Sequence, residues 1–213
     1  KSDNIKVLIC THEFYDDPNA TGGLLFPDFY EWLVFLGEKS KDTKYDWYIK
    51  NHPDTDPWTK KEIKKFVEKY NHITLINEKT SFLQLKKEGL NFVFTAHGTV
   101  GHECPLLDIQ VINADLNQVH IAYDFTWTPK SVDELESMIN KLESMNKKID
   151  RESIYEYFYV TNKLYDIDNF VFTSYRSSKR EEREKNIDMS EIFLNEFNLK
   201  KHEQIKQNFK DYI

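Results

Sequence analysis

A fivefold alternation of short apolar runs with amphipathic segments is the feature that most constrains what this chain can fold into. The runs "IKVLIC" (5–10), "YDWYIKNHP" (45–53), "HITLI" (72–76), "NFVFTA" (91–96) and "IQVINA" (109–114) are dense in β-branched and aromatic residues. That density is the pattern of strands buried on both faces. Parallel neighbours cannot be joined by a tight turn and need a crossover, usually a helix. The alternation therefore predicts an α/β protein with a Rossmann-like, doubly wound parallel sheet.

The intervening segments carry helix signals. Pro27 and Asp28 open "PDFYEWLVFLGEKS", whose apolar density predicts a largely buried helix that starts with proline near its first turn. Thr59 and Glu62 have the spacing of a capping box, and Ile63, Phe66, Val67 and Tyr70 follow at helical spacing. Ser81 with Gln84 opens a short helix closed by Gly89, and Ser131 with Glu134 opens another whose stripe is Leu135, Met138, Ile139 and Leu142. From Asp150 the pattern turns to the helix-like segments "RESIYEYFYVTNKLY" and "MSEIFLNEFNLKKHEQIKQNFKDYI", with one short strand-like run, "FVFTSY", between them. The expected organisation is a Rossmann-like domain over 1–149 and a helical C-terminal extension over 150–213.

Charge and composition narrow the function classes. At 213 residues the chain has room for one sizeable core. Asp+Glu 36 against Lys+Arg 29 leaves a net charge of −7, so there is no basic footprint for a phosphate backbone and nucleic acid is not an expected partner. Cys10 and Cys104 sit in apolar segments far apart and read as buried thiols of a reducing compartment. No apolar stretch approaches the roughly 20 residues of a membrane-spanning helix. The expected location is cytoplasmic, with peripheral attachment at the inner face of the membrane left open. The first residue is Lys1 rather than Met, directly before a strand, and this suggests an excised or processed fragment.

In open α/β sheets ligands bind beyond the carboxyl ends of the strands. The polar clusters fall at those ends: Thr11-His12-Glu13, Lys50-Asn51-His52-Pro53 and Thr95 to Thr99. In "FTAHGTVGHE" (94–103), Gly98 and Gly101 flank Thr99 where a strand should pass into a helix, a place where backbone N–H groups and the helix dipole favour an anion. A tight βα turn with Thr99 as its N-cap is the competing reading. The stretch has neither the lysine of a nucleotide-hydrolysing loop nor the spacing of a dinucleotide fingerprint. His97, His102, Glu103 and Cys104 crowd together without the spacing of a known zinc motif, so neither a metal nor another cofactor is expected. His52 with Lys50 fits a phosphate contact or a solvated strand end equally well. His12 and Glu13 are candidates for a general base, although carboxylates in this Asp- and Gly-rich loop are often turn formers. Trp127 and Tyr123 are candidates for the mouth of the pocket.

Taken in order, "FPDFYEWL", "YDWYIKNHP", "FTAHGTVGHE" and "VINAD…H" resemble bacterial capsular and surface polysaccharide glycosyltransferases of the GT-B type, specifically their C-terminal, nucleotide-sugar-binding domain. The K-x-H-P strand end and the "GTxGxE" turn are also similar to those of bacterial sialyl-, Kdo- and teichoic-acid polymer transferases. The resemblance implies that His52, supported by Lys50, contacts the donor phosphate and that Gly98, Thr99 and Gly101, beside His97, receive the nucleotide phosphates. It also implies that Glu103 holds ribose or donor. The implied partners are a nucleotide sugar, a glycan or lipid-linked acceptor, and an N-terminal acceptor domain outside this chain. Related polymerases imply an alternative, transfer of a phosphate-bearing group from a CDP donor. A non-catalytic nucleotide- or sugar-phosphate-binding module is the reading from another class. Where the family has a glycine and proline before the next strand, this chain has "ECPLLDIQV".

Overall fold

The computed structural model describes residues 3–16, 22–161 and 203. The chain divides into two units, Lys1–Tyr157 and Phe158–Ile213. The run "FVFTSY" and the helix-like stretch from Met189 lie outside the described residues apart from Glu203.

The first unit is a five-stranded, all-parallel sheet made of β1 (Lys6–Cys10), β2 (Asp46–Lys50), β3 (Ile73–Ile76), β4 (Leu90–Thr95) and β5 (Gln110–Asn113). Their order across the sheet is β3-β2-β1-β4-β5. The chain thus winds outward from β1 in one direction, then returns and winds the other way from β4. Helices α1 (Phe29–Ser40), α2 (Pro57–Lys69) and α5 (Val132–Ile139) cover one face; α3 (Phe82–Lys87) and α4 (Val100–Glu103) cover the other. Helix α6 (Arg151–Tyr159) buries Ile154 and Tyr157.

Period-two alternation assigns the strand side chains to two cores. Val7, Ile9, Trp47, Ile49, Phe92 and Phe94 pack against α1, α2 and α5. Leu8, Cys10, Val93 and Val111 pack with Cys104 and Ile109 on the α3–α4 face. Trp32, Trp47 and Phe94 are each 2% exposed or less, and full burial of such a side chain stabilises by roughly 1.5–3 kcal/mol. Both cysteines are free and buried.

The helix starts agree with the sequence in part. Ser81 and Ser131 accept the N–H groups of Gln84 and Glu134, as their spacing predicts. Asp28, not Pro27, marks the start of α1, its carboxylate accepting the Glu31 N–H at 2.7 Å. The Thr59–Glu62 capping box does not form. Asp56 caps α2 instead, accepting from Trp58 and Thr59 N–H with Pro57 at the first helical position. A carboxylate followed by proline satisfies two N–H groups where Thr59 would have satisfied one, and Thr59 is buried one turn inside, its hydroxyl accepting from Phe14 N–H. Helix α5 stops at Ile139, and Leu142 joins the core from a separate 3-10 turn.

Candidate functional site

Strands β1 and β4 are neighbours from which the chain runs off in opposite directions, so the sheet has its topological switch point between their carboxyl ends, the place where open α/β sheets form a crevice for ligands. The loop after β1 supplies Thr11, His12 and Glu13, and the loop after β4 supplies His97 to Thr99. Asp115 arrives from the end of β5, held by the segment 23–25. Leu24 bridges Asp115 in antiparallel sense, and the Leu25 and Leu116 N–H groups bond to Ala114 and Gly23 carbonyls.

His12 and His97 form the centre of the site. The His97 backbone N–H donates to His12 Nε2 at 3.1 Å, and the Thr95 hydroxyl lies 3.3 Å from the same nitrogen. The His12 ring stacks on Phe29 of α1, with centroids 4.7 Å apart. Because Nε2 accepts a backbone N–H, the ring proton resides on Nδ1. Burial first, then the charges of His97 and His52, push His12 down to about 4 against a partial counter-pull from Asp115. The His97 ring turns its Nδ1 to the Asp115 carboxylate at 3.2 Å; Asp115 is buried and His97 keeps 28% of its side chain exposed.

Gly98 has φ +113, a conformation that admits glycine with little strain, and this reverses the chain out of β4. Beyond it the first turn closes on itself, Gly101 N–H bonding the Gly98 carbonyl and Glu103 N–H the Thr99 carbonyl. The Gly98 and Thr99 N–H groups bond to no carbonyl among the described residues. Thr99 has helical backbone angles and makes no side-chain cap, contrary to the N-cap reading. Gly101 has a different duty from Gly98: a Cβ there would meet His120 Cε1 at 2.3 Å, so its small size admits a buried ring. Its N–H is already committed within the turn.

The remaining expected residues divide between the crevice and its surroundings. His52 is exposed, its Nδ1 accepting the Asp54 N–H at 3.2 Å, and its charge reaches His12. Lys50 faces away from the histidines: its ammonium donates to the Thr80 carbonyl at 2.8 Å and lies 4.5 Å from the Phe82 ring centroid. Glu103 is exposed on α4 and is felt electrostatically by Cys10 and Cys104 on that same face. Glu13 is turned toward α2, where Oε2 accepts the Asp56 N–H at 3.1 Å. Burial, then hydrogen bonding with the Asp56 carboxyl, raises Glu13 above the usual range, and the same contact holds Asp56 low.

His102 does not join His97, Glu103 and Cys104. Its ring packs 4.7 Å from Tyr157 and 5.8 Å from His120, in an aromatic group with Tyr123 and Phe125. Among the described residues no three His, Cys, Asp or Glu side chains are gathered as metal ligands. Tyr123 belongs to that packed group, and Trp127 packs on the core, donating from Nε1 to Gln110 Oε1. A groove of about 320 Å³, lined by Asn51, Leu75, Ile76, Asn77, Glu78 and Lys79, lies at the ends of β2 and β3; none of the histidines lines it.

Sequence reasoning missed Asp115 as a partner of His97. The signal available was a carboxylate placed directly after the buried run "IQVINA", at a strand's carboxyl end. It also missed the buried polar group Asn113, His120 and Thr126, in which Asn113 Nδ2 donates to the Thr126 hydroxyl at 2.9 Å.

No protein-family model matches the chain, and no curated protein does. Among solved structures it is similar to the Thermosulfurimonas dismutans KpsC, beta Kdo 2,4 transferase, at 13% identity and a TM-score of 0.45. The match covers 74% of this chain and 44% of that one, so the chain spans less than half the length of that protein. No helix among the described residues is long and apolar enough to cross a membrane.

Proposed function

We propose that this chain is the donor-binding half of a GT-B type glycosyltransferase that uses a nucleotide sugar in surface or capsular polysaccharide synthesis. The observation that carries the reading is the pair of N–H groups of Gly98 and Thr99 that bond to no carbonyl among the described residues at the switch point between β1 and β4, with His52 at the end of β2 near enough for its charge to be felt by His12. Such a place offers the backbone N–H groups of Gly98 and Thr99 and the exposed His52 ring as donors, while the two carboxylates beside it are engaged, Asp115 with His97 and Glu13 with the Asp56 N–H. A diphosphate fits that chemistry, since N–H and imidazole donors make strong, charge-assisted hydrogen bonds to phosphate oxygens. As the bond to the sugar breaks, negative charge grows on the leaving phosphate, and donors already fixed in place stabilise it without reorganising. His52, exposed at the rim, donates to the outer phosphate; Gly98 and Thr99 seat the inner one. In this reading a second domain supplies the acceptor surface, and the product is released into the cytoplasm.

Calorimetric titration with CMP, UDP and GDP tests the reading. It predicts binding of one of them and at least a tenfold loss on His52→Ala, the scale of one charge-assisted hydrogen bond of about 1.5–3 kcal/mol. Binding of none would sink the donor site. Binding without turnover, in a protein that includes its acceptor domain, would favour the non-catalytic module.

A further inference from the structure

We infer that His97, oriented by Asp115, is the group that accepts a proton at this site. The inference follows from the state of the other candidate bases nearby, of which His52 has its Nδ1 lone pair taken by the Asp54 N–H and so carries its proton on Nε2. His12 has its Nε2 lone pair covered by the His97 N–H and its ring held against Phe29, so it has no lone pair to offer a substrate hydroxyl. Glu13 points at the start of α2, where one oxygen accepts the Asp56 N–H. His120 and His102 are packed in the aromatic group behind Gly101.

His97 is arranged differently. Its Nδ1 lies 3.2 Å from Asp115 Oδ2, and Asp115 is 3% exposed in its side chain, so the contact is shielded from water. The other carboxylate oxygen accepts the Asn117 N–H at 2.8 Å, which fixes the plane of the carboxylate. An acceptor-only carboxylate at Nδ1 requires the proton there, and the lone pair is then on Nε2, in a ring with 28% of its side chain exposed. Among the described residues no hydrogen bond to Nε2 of His97 is found. A Cβ at Gly23 would come within 2.4 Å of Asp115 Oδ1, so the segment after the first loop packs directly on the orienting carboxylate. The charged and titratable groups that face His97 are Asp115 from the end of β5, His12 from the loop after β1, and His120 beyond the turn.

Under the glycosyl-transfer reading, on which the identity of the proton donor rests, the acceptor hydroxyl gives its proton to His97 Nε2 as its oxygen bonds to the anomeric carbon. The bond from that carbon to the donor phosphate oxygen breaks, and its electron pair stays on the phosphate. The imidazolium formed is stabilised by Asp115. Asp115 is thus a positioning residue, and His97 the residue that meets the reacting hydroxyl.

The test is long-range ¹H–¹⁵N correlation of the histidine rings in the full chain at neutral pH, with carbethoxylation mapped by mass spectrometry. The wild-type chain should show His97 with its proton on Nδ1, and Asp115→Asn should lose that preference, because the amide can donate to Nδ1. His97 should also react with diethyl pyrocarbonate several-fold faster than His12. A proton on Nε2 of His97 in the wild-type chain overturns the inference, as does an Asp115→Asn spectrum with the same tautomer. These measurements need no ligand, so failure of nucleotide titration with the predicted tautomer present removes the glycosyl-transfer reading and leaves the proton-accepting pair standing.

Discussion

The backbone N–H of His97 donates to the imidazole Nε2 of His12 at 3.1 Å, so one histidine of the crevice fixes the loop that carries another. The expectation is that His12→Ala leaves that N–H without its acceptor and removes the stacking on Phe29. A buried donor left unpaired costs about 1–3 kcal/mol. Denaturant titration should show a loss of that size. An unchanged midpoint would mean that the contact is not formed in solution.

Gly101→Ala separates two readings of the "GTVG" turn. A methyl group there meets the His120 ring at 2.3 Å, and His120 is enclosed by Phe125 and Tyr157. Overpacking of this kind typically costs 1–3 kcal/mol. Thermal unfolding should record the loss in the ligand-free protein. If the variant is as stable as wild type and only nucleotide affinity falls, Gly101 acts as an anion seat rather than as space for a ring.

Half-buried His12 and fully buried His120 make the fold acid-sensitive. His12 and His120 both lie near 4 in the folded chain, chiefly through burial, against 6.5 for an ordinary imidazole. Below pH 6.5 the unfolded chain takes up protons that the folded chain refuses, so this stability is complete above pH 6.5 and declines as pH falls toward about 4, where it levels off. For fully buried His120 the loss is of order 3 kcal/mol. Glu13, raised in the fold, acts in the opposite sense and offsets part of it. The check is to follow the denaturation midpoint of wild type and His120→Phe between neutral and mildly acid pH. The variant should lose visibly less; an identical acid loss would exclude His120 as a source.

Lys50 and His52 stand two residues apart yet should respond differently. Lys50→Met removes the hydrogen bond to the Thr80 carbonyl and should lower stability by about 1–2 kcal/mol. It should change nucleotide affinity less than His52→Ala does, since the ammonium points to the α3 face. A larger affinity loss for Lys50→Met would show that its side chain swings to the ligand.

The sheet was legible because its signal is local: five apolar runs and two serine caps each declare themselves within a few residues. The site was legible only as a set of strand ends. His12, His52 and His97 could be placed at those ends from the pattern, but the partner of each ring depends on contacts between segments far apart. Asp115 is 18 positions from His97, and the pairing depends on Gly23 packing beside it. The direction of Lys50 was hidden for a related reason: residues alternate across a strand, and its face is set by the neighbours of β2 rather than by its own sequence. Asp56 displaced Thr59 as the α2 cap through a competition that the sequence contained, as "DPWT", and that the capping-box spacing obscured.

Backbone amide shift mapping during addition of CMP, UDP or GDP tests the central claim most directly. The account predicts that one nucleotide shifts the amides of residues 11–13, 52 and 97–100 first and most strongly, with the response centred on the β1–β4 switch point. Shifts confined to the groove at residues 75–79, or none with any of the three nucleotides, would contradict it.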